Sequence, residues 1–280
     1  MLFLSQLKSE LKKMFARKRT YIGFGAFLFL EALILVLIEL NGGKGIKRLI
    51  EVAGGGVDYF FSATTIGFIV TAVSTLLLGG IYVALVAGDI VAKESEDGSL
   101  RLVLSRPVSR ARVLGLKYCA AVIYNIIFVL FIGASAYLLG ACIRGFGGGF
   151  FAMDMDRGIF ALHGGPLSVL VYFQGILGLA ISMVTVTSMA FFFSCMKLKP
   201  ATATILALSC LFIDMVIYQT PFFPEINDYL LTPNLGVWSM LCDNVIKWPD
   251  IIHGYAYLFG VNATLFIFGW LIFQSRDFKM

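Results

Sequence analysis

Charge is scarce in this sequence. Only 14% of its 280 residues are Asp, Glu, Lys or Arg, and 59% are apolar. Soluble domains average about 25% charged and about 45–50% apolar. That scarcity excludes an ordinary globular domain, and the mean hydropathy of +0.88 agrees. Histidine is nearly absent. His163 and His253 belong to no HExxH or similar ligand spacing, which excludes the common zinc hydrolases. The five cysteines (Cys119, Cys142, Cys195, Cys210, Cys242) are odd in number, scattered, and form no CxxC pair. A disulfide framework or structural zinc site is not expected, and only Cys142 and Cys242 lie where an outer pair could form. No G-x-S-x-G elbow is present. "GGKGIK" at Gly42–Lys47 does not fit the phosphate cradle G-x-x-x-x-G-K-[ST], so the chain has no Walker A route to ATP hydrolysis. "GFGGGF" at Gly145–Phe150 fails the dinucleotide pattern, and "DMDRG" at Asp154–Gly158 reads as a solvated loop. No catalytic residue, metal ligand or cofactor is assigned to this chain.

What the chain does have is long apolar runs. A bilayer-spanning helix needs about 20 mostly apolar residues. Six runs qualify: Tyr21–Leu40, Thr65–Gly88, Tyr118–Ile143, Leu167–Cys195, Ala201–Tyr218 and Gly254–Phe273. The expected fold is an all-α membrane protein with six transmembrane helices in a single domain over 1–280. No cleavable signal peptide is expected, because "IELNGGKG" after the first run lacks a small-x-small site. The cations are placed unevenly. Sixteen of the 22 Lys and Arg lie in the N-terminal segment, the second and fourth loops and the C-terminal end. The positive-inside rule then puts both termini and the second loop in the cytoplasm of a bacterial cell. The charge of +5 is thus a topology signal, and no continuous basic face suggests nucleic acid.

At the N-terminus, Leu4, Leu7, Leu11 and Phe15 recur at helical spacing among Lys8, Lys12, Lys13 and Arg17–Arg19. Segment 1–20 is expected as an amphipathic helix lying at the membrane surface. The outer stretch 220–252 carries Pro221, Pro224, Pro233 and Pro249, with Leu235, Trp238, Leu241, Val245 and Trp248 at helical spacing between them. Short outer helices are expected before the sixth span. Small residues recur every fourth position at Gly80, Ala84 and Gly88, and again at Ala256, Gly260 and Thr264. Such rows let helix backbones approach closely.

A few polar groups sit in the oil. Glu31 lies midway along the first span, Asn125 in the inner part of the third, and Asp214 toward the outer end of the fifth. A charge at the bilayer centre costs at least ~2.5–3.5 kcal/mol, so such groups usually face a partner or a wet cavity. Glu31, Asn125 and Asp214 are therefore candidates for lining a pathway. Protonated carboxyls bonded to a neighbouring helix are the structural alternative.

The second loop, "GDIVAKESEDGSLRLVLSRPVSRARVLGLK", holds the strongest signal. Gly98 permits a sharp turn. Leu100, Val103 and Leu104 fall on one side of a helix of about two turns. Pro107 stops it, and Ser109 can cap the third span. So short a helix is unstable in water by itself and needs a surface to pack on. This loop, over 93–110, resembles the cytoplasmic loop of ABC type-2 permeases. The shared pattern here is Glu94, Gly98, Ser99, Leu100, Leu102–Leu104, Pro107, Ser109, Arg110 and Lys117. Ser99 stands where Thr is commoner, and Arg106 fills a usually neutral place. The basic N-terminus is similar to that family's elbow helix. Among short permeases of the family, the chain looks closest to those linked to copper-enzyme maturation or bacteriocin self-protection, although its Met and Cys form no copper-binding array.

The resemblance implies an export permease whose loop helix couples to a separate ATPase. Two ATPase copies would bind the ATP and magnesium, and a second permease, same or homologous, would complete the transporter. The coupling residues would be Glu94, Gly98, Ser99, Leu100, Val103, Leu104, Pro107 and Arg110. Two rival readings stand beside it. One is an ATPase-driven membrane subunit that works on an envelope or motility complex without transport. The other is a proton-coupled secondary transporter using Glu31 and Asp214. That one would predict repeats in the two halves, and Met1–Gly140 shows none with Ala141–Met280.

Overall fold

A computed structural model describes residues 2–100, 109–220 and 224–276. Six helices are long and apolar enough to cross a membrane: Thr20–Leu40, Ala63–Glu96, Arg110–Arg144, Leu167–Ser194, Pro200–Gln219 and Trp248–Ser275. They match the six expected runs and are called here the first to sixth spans. Helix α1 (Leu2–Phe15) precedes the first span, which lies in α2 (Lys18–Leu40). The loop after the first span folds into α3 (Lys44–Val52) and α4 (Val57–Phe60).

Two spans are interrupted, and periodicity alone predicts neither break. The second span is α5 (Ala63–Ser74), a π-helical turn (Thr75–Gly79) and α6 (Gly80–Glu96). The fourth is α8 (Leu167–Ser182) and α9 (Val184–Ser194), separated at Met183. The third is one unbroken helix, α7 (Arg110–Arg144), capped by the Ser109 hydroxyl, which accepts from the Arg112 amide at 3.4 Å. Pro200 and Pro249 sit in the first turns of α10 (Pro200–Gln219) and α12 (Trp248–Ser275), where no amide partner is lost.

The fourth span is the most enclosed of the six, and the first, fifth and sixth are the most open. Their outward side chains, such as Phe29, Phe212 and Phe259, are exposed apolar groups suited to lipid. The core is aromatic where the first three spans meet. Phe128 lies 4.9 Å from Phe27, 5.4 Å from Phe24 and 4.7 Å from Tyr82 between ring centroids.

Several expectations are corrected. The apolar stripe of α1 does not simply meet lipid. Leu7, Leu11 and Phe15 pack against the main core, Phe15 lies 5.3 Å from the Tyr124 ring, and only the N-terminal Phe3 and Leu4 stay exposed. The third span offers that stripe an apolar groove, so protein covers it. Of the two small-residue rows, the one in the second span packs. A Cβ on Gly88 would sit 2.6 Å from the Thr204 hydroxyl, so glycine sets how closely the fifth span approaches. The row in the sixth span is exposed, and Gly260 has nothing near it. Asp154–Gly158 is the tight turn of a hairpin, β1 (Phe150–Asp154) against β2 (Ile159–His163), with Phe151 opposite Leu162. Asp154 accepts from the amides of Asp156 and Arg157 and closes that turn.

The outer stretch does form short helices: 3₁₀ turns at Pro224–Tyr229 and Gly236–Cys242 around α11 (Leu231–Leu235). Trp248, expected among them, instead opens the sixth span. The stretch settles onto the fourth span, where Gly175 and Gly178 leave room for Cys242, Leu241 and Trp238. Cys142 is exposed and Cys242 buried, and both are free thiols. Burial pushes the Cys242 thiol up to about 12, so it carries no thiolate at neutral pH.

Candidate functional site

The candidate site is the place where the second span ends. Asp97 closes α6, and Gly98 turns the chain in the left-handed region at φ +72°. The Gly98 amide donates to the Ser95 carbonyl at 3.4 Å, which finishes the helix. The Ser99 hydroxyl reaches back to the Glu94 carbonyl at 3.3 Å, and Ser99 and Leu100 begin a new helical turn.

Beneath that turn lies a buried ion network. Lys117 is 2% exposed, inside the first turns of the third span. A buried ammonium needs a counter-charge. Its Nζ lies 2.6 Å from Glu94 Oε2 and 3.2 Å from Glu10 Oε2. Glu10 in turn takes Lys13 at 2.6 Å. Two cations and two carboxylates thus tie α1, the second span and the third span together. Burial works against the charge on Glu10, but Lys117 and Lys13 outweigh it and hold the carboxyl below its ordinary 4.5. Such a group adds stability above its unfolded value and loses it as pH falls through the lower folded value. Thermal unfolding of the purified protein is therefore expected to shift to lower temperature below about pH 4.5. Glu10→Gln is expected to remove much of that acid sensitivity.

Other spans close on the same point. The Ser194 hydroxyl accepts from the Val91 and Ala92 amides at 3.1 and 2.9 Å. Arg276 donates to the Cys195 carbonyl at 3.1 Å and to the Ser95 hydroxyl at 3.3 Å. Arg110 donates to the carbonyls of Gln274 and Arg276 at 2.8 and 2.9 Å, satisfying the end of the sixth span. The middle of α1 and the end of the sixth span therefore meet around the base of one loop.

The expected coupling residues fall into three groups. Glu94, Gly98, Ser99 and Arg110 stand in this junction. Leu100 corrects the expectation of an uncovered ridge: it is 0% exposed and belongs to the main core of this chain. It follows Ser99 after the turn at Gly98, and its side chain packs into that core. Val103, Leu104 and Pro107 lie outside the described residues. Glu10, Ser194 and Arg276 are missed by sequence reasoning. The one available signal is Lys117, a cation deep in an apolar run that requires carboxylate partners.

The three polar residues of the spans do not come together. Asn125 is buried and donates from Nδ2 to the Ala180 carbonyl at 2.9 Å, just before the break at Met183. Asp214 holds the outer stretch. Its carboxylate accepts from the Leu231 and Thr232 amides at 2.9 and 2.7 Å and from the Thr232 hydroxyl at 2.6 Å. Hydrogen bonds to a charged group contribute about 1.5–3 kcal/mol each, less when part-exposed. Asp214→Ala is thus expected to speed hydrogen exchange of the Leu231 and Thr232 amides about 30-fold, the equivalent of about 2 kcal/mol. Glu31 is fully buried near Ser135 and apart from both.

Comparison with known proteins agrees with the architecture. Residues 7–234 match the profile of the ABC-2 family transporter proteins. A stretch of 85 residues is 28% identical to the uncharacterized protein YhcI of Bacillus subtilis (strain 168). That stretch is 30% of this chain and 27% of YhcI, just over a quarter of its length.

Proposed function

Because the chain belongs to the ABC-2 family of transporter proteins, we propose that it couples ATP hydrolysis by a separate ATPase subunit to export of a substrate across the bacterial cytoplasmic membrane. As an ABC-2 family member it is the membrane transport component rather than the ATP-hydrolysing one. In this reading two ATPase subunits bind from the cytoplasm, where both termini lie, and a second permease subunit completes the transporter. The observation that carries the reading is the buried Glu94–Lys117–Glu10 network at the base of the second loop. A loop anchored by ion pairs and by Leu100 behaves as a lever. A push on Val103 and Leu104 would pass to the second and third spans instead of being absorbed by slack backbone. The rival secondary-transport reading needs Asp214 in a pathway, and its three donors count against that.

The test is co-purification of the permease with a candidate ATPase subunit. Leu104→Asp would bury a charge in the apolar contact, and binding is expected to weaken by about 100-fold while the permease still folds. Undiminished binding by the folded variant would overturn the assignment.

A further inference from the structure

Glu31 lies in the first span, 0% exposed, and neither carboxyl oxygen has a hydrogen-bond donor. The Ser135 hydroxyl lies beside it but donates to the Phe131 or Ile132 carbonyl at 2.8 or 3.1 Å. No cationic side chain occurs anywhere in the second span from Ala63 to Gly88, the third from Tyr118 to Ile143 or the fourth from Leu167 to Ser194. The titratable groups facing this region from those spans are phenols, Tyr172 and Tyr137 and, one turn below, Tyr82. The neighbouring span adds oxygen rather than charge. Ser74 and Thr75, where the second span loosens into its π turn, are buried, and their hydroxyl oxygens have no partner. Their level matches that of Glu31. Phe27, one turn below, packs on Tyr82, and Leu35, one turn above, shares a buried cluster with Val70.

A carboxylate in a low-dielectric interior must be paired, neutralised or bound to a metal ion. The side chains here supply one negative charge and neutral oxygens. A divalent ion would leave an uncompensated positive charge in the same oil, whereas a monovalent ion balances the site. Hard monovalent cations take such oxygen ligands, often where a helix is locally unwound. We propose that Glu31, with the hydroxyls of Ser135, Ser74 and Thr75, holds one exchangeable monovalent cation, a proton or sodium, in the interior of the membrane domain. Ser74 and Thr75 lie on the second span, which carries Glu94 in its last turn, so the site and the ion network at the loop base are joined by one span. The proposal does not rest on the ATPase reading.

The test is thermal unfolding of the full chain in lipid nanodiscs. One series exchanges choline for sodium at fixed pH, and the other varies pH in choline. If sodium is the occupant, the wild-type midpoint rises by about 5–10 °C at roughly 100-fold excess over its dissociation constant. Glu31→Gln stays flat, and Ser135→Ala needs more sodium for the same rise. If a proton is the occupant, sodium has no effect, the wild-type midpoint depends on pH above pH 5, and Glu31→Gln loses that dependence. A wild-type midpoint flat in both series overturns the proposal, whether or not Glu31→Gln folds. So does a variant that follows wild type in both.

Discussion

Replacing Lys117 with Met is expected to destabilise the folded protein by about 3–5 kcal/mol, the cost of breaking a buried ion network from one side. Met keeps most of the volume, so the loss is not a cavity effect. It arises because Glu94 and Glu10 face each other across a site that has lost the charge between them. Lys13 offsets part of this for Glu10, since it holds that carboxylate at 2.6 Å. The removal of charge from both sides distinguishes this account from simple loss of packing. Lys117→Met with Glu94→Gln should recover a large share of the stability, because well-packed neutral groups often replace a buried pair at little cost. Thermal unfolding of wild type, both single variants and the double variant gives the coupling energy. No recovery at all would show that the charges act independently.

The second large effect is expected at Phe128. Its ring is fully buried and touches rings from two other spans. In water, truncating a buried Phe to Ala costs about 3–5 kcal/mol. Inside a bilayer, lipid tails replace water as the alternative surroundings, so the transfer part of that cost largely vanishes. What remains is the cavity and the lost ring contacts, each aromatic pair contributing about 0.5–1.5 kcal/mol. Phe128→Ala is therefore expected to cost about 3 kcal/mol, with Phe128→Leu costing less than half of that. Equal effects of the two would mean that the neighbouring rings collapse into the gap. Steric-trap or thermal unfolding in a fixed lipid composition measures the difference.

Much of this architecture is legible in the sequence because the bilayer imposes a length and a hydropathy that no other environment demands. All six spans follow from that, and so do the sharp turn at Gly98 and the Ser109 cap. The two interruptions are not legible. A π turn at Thr75–Gly79 and a break at Met183 lie in apolar stretches whose periodicity gives no warning. The hairpin at Phe150–His163 is hidden for a different reason. Its strands are short, and "DMDRG" reads equally as open loop until the Asp154 carboxylate is seen closing the turn. The candidate site is half legible. Glu94 and Lys117 are visible as motif positions, but their pairing, and the addition of Glu10 from over a hundred residues away, come only from folding. Leu100 shows the limit of a helical-face argument. Spacing puts it with Val103 and Leu104, yet the turn at Gly98 directs it inward.

The meeting of α1 and the sixth span at the loop base has a practical side. α1 enters it through Glu10, and the sixth span enters it through Arg110 and Arg276. A bulky reporter or affinity handle fused close to either element would crowd the ion network and its hydrogen bonds. The hairpin tip is the safer attachment point, because Met155 and Asp156 face outward on a turn remote from the loop base.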